Sequence, residues 1–141
     1  MKKILILNGP NMNMLGIREP ELYGKEDYKA LVKLCRKTCR KFHVRGRIVQ
    51  YNSEEMMIEE IQAAYYCKFD GIVINAAAYT HTSIAILDAL KAAGIPTVEV
   101  HVTDPMSREE YRHVSYISEY AKATIAGKGI AGYAEAIELL V

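Results

Sequence analysis

Short apolar runs closed by turn residues alternate along the chain with segments whose apolar positions recur every three or four residues. The first run, residues 4–7 (ILIL), ends at Asn8-Gly9-Pro10 and predicts a buried strand. From about Glu26 to Phe42, the positions Tyr28, Leu31, Leu34, Cys35, Cys39 and Phe42 fall on one helical face, with Lys and Arg opposite. Residues 47–51 predict a second strand. Asn52 is a candidate N-cap, with Glu55 three residues on as in a capping box, for a helix reaching about Tyr66. Met57, Ile58, Ile61 and Tyr65 form its inward face. Residues 71–74, β-branched after Gly71, predict a third strand buried on both faces. Ser83 to Ala93, closed by Gly94, predicts a helix, and residues 96–100 a fourth strand with proline at its first position. Residues 104–120 read as irregular and polar with a helical turn or two. Residues 123–126 predict a short fifth strand and residues 130–140 a last helix.

Strands alternating with helices predict a parallel sheet covered on both sides. Five strands in this length suit an α/β, flavodoxin-like three-layer fold with a five-stranded parallel sheet in the order 2-1-3-4-5. Such sheets bind ligands beyond the carboxyl ends of the strands, near the switch of strand order. The 141 residues read as a single domain, 1–141, too short for a (β/α)8 barrel of about 250 residues. With 18 Lys+Arg against 17 Asp+Glu the net charge is +1, which gives no reason to expect nucleic acid or an anionic membrane as partner. Any anion site must be a local cluster. Cys35, Cys39 and Cys67 form no CxxC pair and read as the free thiols of a cytoplasmic protein. The apolar run at residues 4–7 is too short for a signal sequence or a membrane span. The four histidines and the carboxylates take no zinc-ligand spacing, so no metal is expected.

The strand ends hold the candidate chemistry. Residues 8–24, NGPNMNMLGIREPELYG, make a seventeen-residue connection where about 2–6 is usual. With Asn11, Asn13, Arg18 and Tyr23 it reads as a lid or binding loop, or as a surface loop whose Arg and Tyr are solvated. Arg18 near Tyr23 would favour phenolate. Full ionisation of a phenol at neutral pH asks for a shift of about three units, or about 4 kcal/mol. After the third strand comes NAAAYTHTS, residues 75–83. Asn75 stands at the strand end and His81 within the turn. Thr80, Thr82 and Ser83 stand at a helix start, where free N–H groups favour an anion. Thr80 or Thr82 equally suits a plain N-cap. After the fourth strand comes EVHVTDPMSREEYRH, residues 99–113. Glu99 and His101 share one face, and a carboxylate in a central strand requires a partner. His101 is placed to donate or accept a proton, or is simply structural. Arg108 and Arg112, one helical turn apart, can reach an anion together. Residues 127–132, GKGIAG, match GxGxxG, but only nine residues follow, too few for the acidic ribose contact of a dinucleotide site. They read as close helix–strand packing.

Taken together, LNGPNMNMLGIREPELYG, NAAAYTHTSIAILDAL, EVHVTDPMSREEYRHVSY and the GKGIAGY ending resemble the type II 3-dehydroquinate dehydratases, or type II dehydroquinases, over nearly the whole chain. The resemblance implies a lyase that dehydrates 3-dehydroquinate to 3-dehydroshikimate through an enolate, on the way to chorismate, without a Schiff-base lysine, metal or cofactor. It implies that Tyr23 takes the proton beside the ketone, made more acidic by Arg18. Asn11 would help to hold a water against the enolate oxygen. His101 would protonate the departing hydroxyl, oriented by Glu99. Asn75, His81, the backbone at Val102 and Thr103, and Arg112 match substrate contacts, and Arg108 matches a basic residue close to Tyr23. Asp88 matches a residue supplied to a neighbouring subunit's site, so a homo-oligomer is implied, a dodecamer of four trimers. The chain departs from the family's common residues at Ala76-Ala77 (Pro-Gly), Thr103 and Asp104 (serine and asparagine) and Ser53 (histidine). These departures bear on backbone geometry beside the enolate site and on carboxylate binding. Two other readings remain: a non-catalytic flavodoxin-like module for a flavin or phosphorylated metabolite, and an enzyme of the same fold acting on another hydroxy-keto acid.

Overall fold

The apolar runs form the middle of a five-stranded sheet, and their lengths set how much of each strand is hidden. The structure, a computed structural model, describes residues 1–17 and 26–141. Its strands are β1 (Lys3–Asn8), β2 (Arg45–Gln50), β3 (Gly71–Asn75), β4 (Thr97–His101) and β5 (Ala123–Ala126). Four helices are described: α1 (Tyr28–Lys41), α2 (Glu54–Tyr66), α3 (Ile84–Ala93) and α4 (Ala131–Leu140). All strand pairs are parallel, in the order β2-β1-β3-β4-β5. This is the flavodoxin-like order that the alternation of strands and helices predicts. Among the described residues, no helix is long and apolar enough to cross a membrane.

Pleating sends successive side chains of a strand to opposite faces. Ile4 and Ile6 of β1 pack with Leu31 and Cys35 of α1 and with Tyr133 and Ile137 of α4. Leu5 and Leu7 pack on the other side with Met57 and Ile61 of α2 and Ile86 and Leu90 of α3. Burying each such Leu or Ile contributes about 1.5–3 kcal/mol. β1 beyond Lys3, and all of β3 and β4, are buried, whereas β2 lies at an edge and is exposed at Arg45, Gly46 and Arg47.

Several local expectations change. Ser53, not Asn52, caps α2, its side chain accepting from the Met56 N–H. Asn52 instead turns its Oδ1 toward the loop after β1, where it accepts from the Asn11 N–H at 3.0 Å and from Gln50 Nε2 at 3.0 Å. Tyr65 is exposed rather than inward, because Met57, Ile61 and Ala64 already fill the inner stripe of α2. Neither Thr80 nor Thr82 caps α3; Ser83 does, accepting from the Ile86 N–H at 2.9 Å. Pro96 precedes β4, and its carbonyl accepts from the Ile72 N–H at 2.9 Å. The packing reading of GKGIAG holds: a Cβ on Gly132 would stand 3.1 Å from Ile125 and 3.6 Å from Val100.

The turn after β3 is where this chain's own residues shape the site. Gly9 passes so close to it that a Cβ there would lie 2.6 Å from the Ala76 carbonyl oxygen, and its N–H donates to the Asn75 carbonyl at 2.8 Å. Ala77 follows with φ of 52°, in the left-handed region. Its N–H is held there by Asn75 Oδ1 at 3.1 Å. The backbone thus keeps a geometry natural to glycine while carrying a methyl group. An alanine there costs about 1 kcal/mol more than glycine. Ala77→Gly is therefore expected to raise the thermal midpoint by about 2–4 °C, read by scanning calorimetry. An unchanged or lower midpoint would show that packing of the methyl outweighs the strain.

Candidate active site

Three loops meet beyond the carboxyl ends of β1, β3 and β4, where the strand order switches, and enclose a cleft of about 190 Å³. Pro10, Asn11 and Met12 come from the first loop and Asn75, Ala77, Ala78 and His81 from the second. The third supplies His101, Val102, Thr103, Pro105, Arg108 and Arg112. That volume is below the roughly 300–1,000 Å³ of drug-sized ligand sites. It suits a single small ring rather than a flavin. Among the described residues, two histidines, two arginines and no carboxylate line it, so an anionic ligand is favoured.

Glu99 and His101 sit two residues apart on β4 and so face the same way. His101 Nε2 lies 2.5 Å from Glu99 Oε2. The Ser115 hydroxyl donates to the same oxygen at 2.7 Å, while Ser118 and Thr124 donate to Oε1 at 2.5 and 3.1 Å. The carboxylate is 1% exposed, and an unpartnered charge there would cost several kcal/mol. Burial pushes the Glu99 carboxyl up, yet hydrogen bonds from His101, Ser118 and Ser115 and the charge of His101 hold it below the usual carboxylate range. Glu99 therefore stays ionised and anchors one ring nitrogen of His101. Nδ1 is left as the nitrogen that can serve a ligand.

Arg108 and Arg112 reach the cleft from the connection after β4. Glu109 ties them together, with Arg112 Nε at 2.9 Å and Arg108 Nε at 3.8 Å from its Oε2. His81 is oriented by its Nδ1, 2.7 Å from the Val114 carbonyl. Asn11 takes a left-handed φ of 69°, held by Asn52. Asp104 is exposed, and its Oδ1 accepts from the Met106 N–H at 3.0 Å, capping the turn Pro105–Ser107. Its carboxylate thus serves that turn; it stands outside the main cleft but lines an adjoining hollow with His81, His101 and Arg112.

Asn11, Asn75, His81, His101, Val102, Thr103, Arg108 and Arg112 are all brought together at the cleft, with Glu99 behind His101. Asp88 is not: it lies on the exposed face of α3. Arg18 and Tyr23 lie outside the described residues. The supporting groups Gln50, Asn52, Ser115, Ser118 and Thr124 have no motif of their own in the sequence. Only the need of a buried Glu99 for donors signalled that some must exist, without saying which.

The sequence profile of the family described as "Dehydroquinase class II" matches residues 2–141. The chain is 50% identical to 3-dehydroquinate dehydratase 1 of Bradyrhizobium diazoefficiens over 96% of its own length and 87% of the relative's. It is 45% identical to 3-dehydroquinate dehydratase of Variovorax paradoxus, covering 100% of this chain and 99% of that one. The crystal structure of the type II dehydroquinase from Butyrivibrio crossotus superposes with a TM-score of 0.97, at 44% identity, over 99% of this chain and 97% of that chain.

The low-lying Glu99 carboxyl has a consequence for stability. Its folded-state value is below its unfolded one, so its contribution is present above the ordinary value of 4.5 and is lost as pH falls through the folded-state value. Glu99→Gln, which cannot ionise, removes that dependence. Between about pH 6 and 3, the parent protein should lose stability relative to Glu99→Gln, as read by urea denaturation at each pH. A parent–variant difference that does not change with pH would contradict the ionised, hydrogen-bonded state.

Proposed function

The chain belongs to the class II dehydroquinases, and from that premise we propose that it dehydrates 3-dehydroquinate to 3-dehydroshikimate through an enolate, in the shikimate pathway. Tyr23, its phenol acidified by Arg18, takes the proton beside the ketone. The electron pair moves into an enolate, whose oxygen is steadied by a water held by Asn11. The enolate then collapses, the ring C–O bond breaks, and His101 Nδ1 gives its proton to the departing oxygen, which leaves as water. Glu99 holds Nε2 and so turns Nδ1 toward the substrate, fixing the ring's orientation for that transfer. Arg112, His81, Asn75 and the Val102–Thr103 backbone hold the substrate's carboxylate and hydroxyls, and Arg108 stands by Tyr23. No metal and no cofactor take part.

The observation that carries this reading is the Glu99–His101 pair, an acid with its own buried orienting carboxylate, at the wall of a small cation-lined cleft. A non-catalytic module for a flavin gives no reason for such a pair, and the cleft is small for that ligand. The test is ultraviolet absorbance after adding 3-dehydroquinate, which rises as the conjugated product forms. Tyr23→Phe and His101→Ala should each lower the rate by about 10²–10⁴-fold, the range of general acid–base catalysis, while remaining folded. Near-normal rates in both variants would overturn the roles assigned.

Asp88 completes the site of a neighbouring copy, which makes the protein a homo-oligomer, a dodecamer of four trimers. Its exposed place on α3, apart from its own chain's cleft, supports that reading. Sedimentation equilibrium should return the mass of twelve chains of 15.9 kDa. A monomer with full turnover would rule out the shared site.

A further inference from the structure

Tyr133 ends the GKGIAGY segment and heads the fully buried side chains by size. From α4 its phenol reaches the far ends of β1 and β3, where Asn8 and Asn75 pair in register. Tyr133 Oη donates to Asn8 Oδ1 at 2.6 Å and accepts from Asn75 Nδ2 at 3.0 Å. Directions along this chain of bonds are set from one end. Asn8 Nδ2 donates to the Val49 carbonyl at 3.3 Å, which leaves Asn8 Oδ1 as the acceptor for the Tyr133 hydrogen. With its one hydrogen committed, the phenol can only accept from Asn75. Burial, against the lowering effect of Asn75, pushes the phenol well above its ordinary range, so the hydrogen stays on. Asn75 is thereby fixed in one of its two amide orientations: Nδ2 toward Tyr133 and Oδ1 on the Ala77 N–H. The second hydrogen of Nδ2 meets the Met12 sulfur at 3.6 Å, a weak acceptor at the cleft wall.

We propose that Tyr133 is a positioning residue: it fixes the amide orientation of Asn75, so that the hydrogen facing Met12 is the one offered to a hydroxyl or carbonyl oxygen of the substrate. This rests on the reading of Asn75 as a substrate contact. Without the phenol oxygen, the Ala77 N–H alone opposes the flipped amide, and each flip presents the wrong group to the substrate and releases the left-handed turn at Ala77.

The test is a double-mutant cycle read in KM and kcat. In Tyr133→Phe, KM should rise about tenfold, the size of one lost hydrogen bond, with kcat changing less than about threefold. In an Asn75→Ala background the same change should move KM by less than about twofold, because the two residues act as a unit. Ile137→Val, on the same helix, should lower thermal stability without moving KM, which separates positioning from loss of packing. Asn8→Ala keeps the phenol but frees its hydrogen, so it carries the same prediction and decides the matter if Tyr133→Phe does not fold. Unchanged KM in a folded variant, or an equal rise in the Asn75→Ala background, would overturn the proposal. The parent rate is measured first. A parent that binds 3-dehydroquinate without turnover tells against the reaction, and the cycle is then read in calorimetric affinity. A parent that does neither overturns both.

Discussion

In a parallel sheet every strand ends at the same edge. A strand flanked by neighbours and covered on both faces can set a polar side chain against solvent only there. β1, β3 and β4 are such strands, and the rest of the working end follows from their finishing together. Asn8, Asn75, Glu99 and His101 stand at or near those ends, and each is less than a tenth exposed. Polar groups so deeply placed must be hydrogen-bonded, and satisfying them draws in loops from distant parts of the chain. Ser115 and Ser118 reach Glu99 from the connection after β4, Thr124 reaches it from β5, and Tyr133 reaches Asn8 and Asn75 from the last helix. The described walls of the cleft are therefore tied to the sheet by the same need to satisfy buried polar groups.

Glu99 illustrates how competing terms settle. Desolvation alone would protonate it, leaving a neutral acid that does little for an imidazolium. Four donors reverse the balance. The result is a fixed negative charge inside the fold, one residue layer behind a cleft lined by His81, Arg108 and Arg112. The two guanidiniums face the cleft and the carboxylate faces His101. That separation keeps the buried carboxylate away from the guanidinium-lined wall of the cleft.

Ala77, Asp104 and Ser53 show what the backbone demands of side chains near the site. Ala77 keeps a left-handed conformation although it bears a Cβ, because Asn75 and the close passage of Gly9 hold the turn from both sides. Asp104 and Ser53 have been absorbed as caps, one on a short turn and one on α2. Capping draws on the oxygen that each side chain carries.

Hydropathy periodicity determined the elements, their alternation and hence the parallel order, because burial on one face or on both writes itself directly into apolar spacing. The same alternation placed the chemistry at the ends of β1, β3 and β4, and the long motifs there pointed to the residues now found around the cleft. Caps were less legible. Asn52 and Ser53 are equally good on paper, and which one caps depended on whether the loop after β1 needed an acceptor. Tyr65 was misplaced because a helical stripe says which faces are apolar, not how wide a face its neighbours can cover. What only the tertiary structure decided is the set of partners behind the site: the donors on Glu99 and the phenol between Asn8 and Asn75. Those bonds join residues as far apart in sequence as Asn8 and Tyr133. Their existence is compelled by burial, but their identity depends on which distant side chain the packing brings within reach.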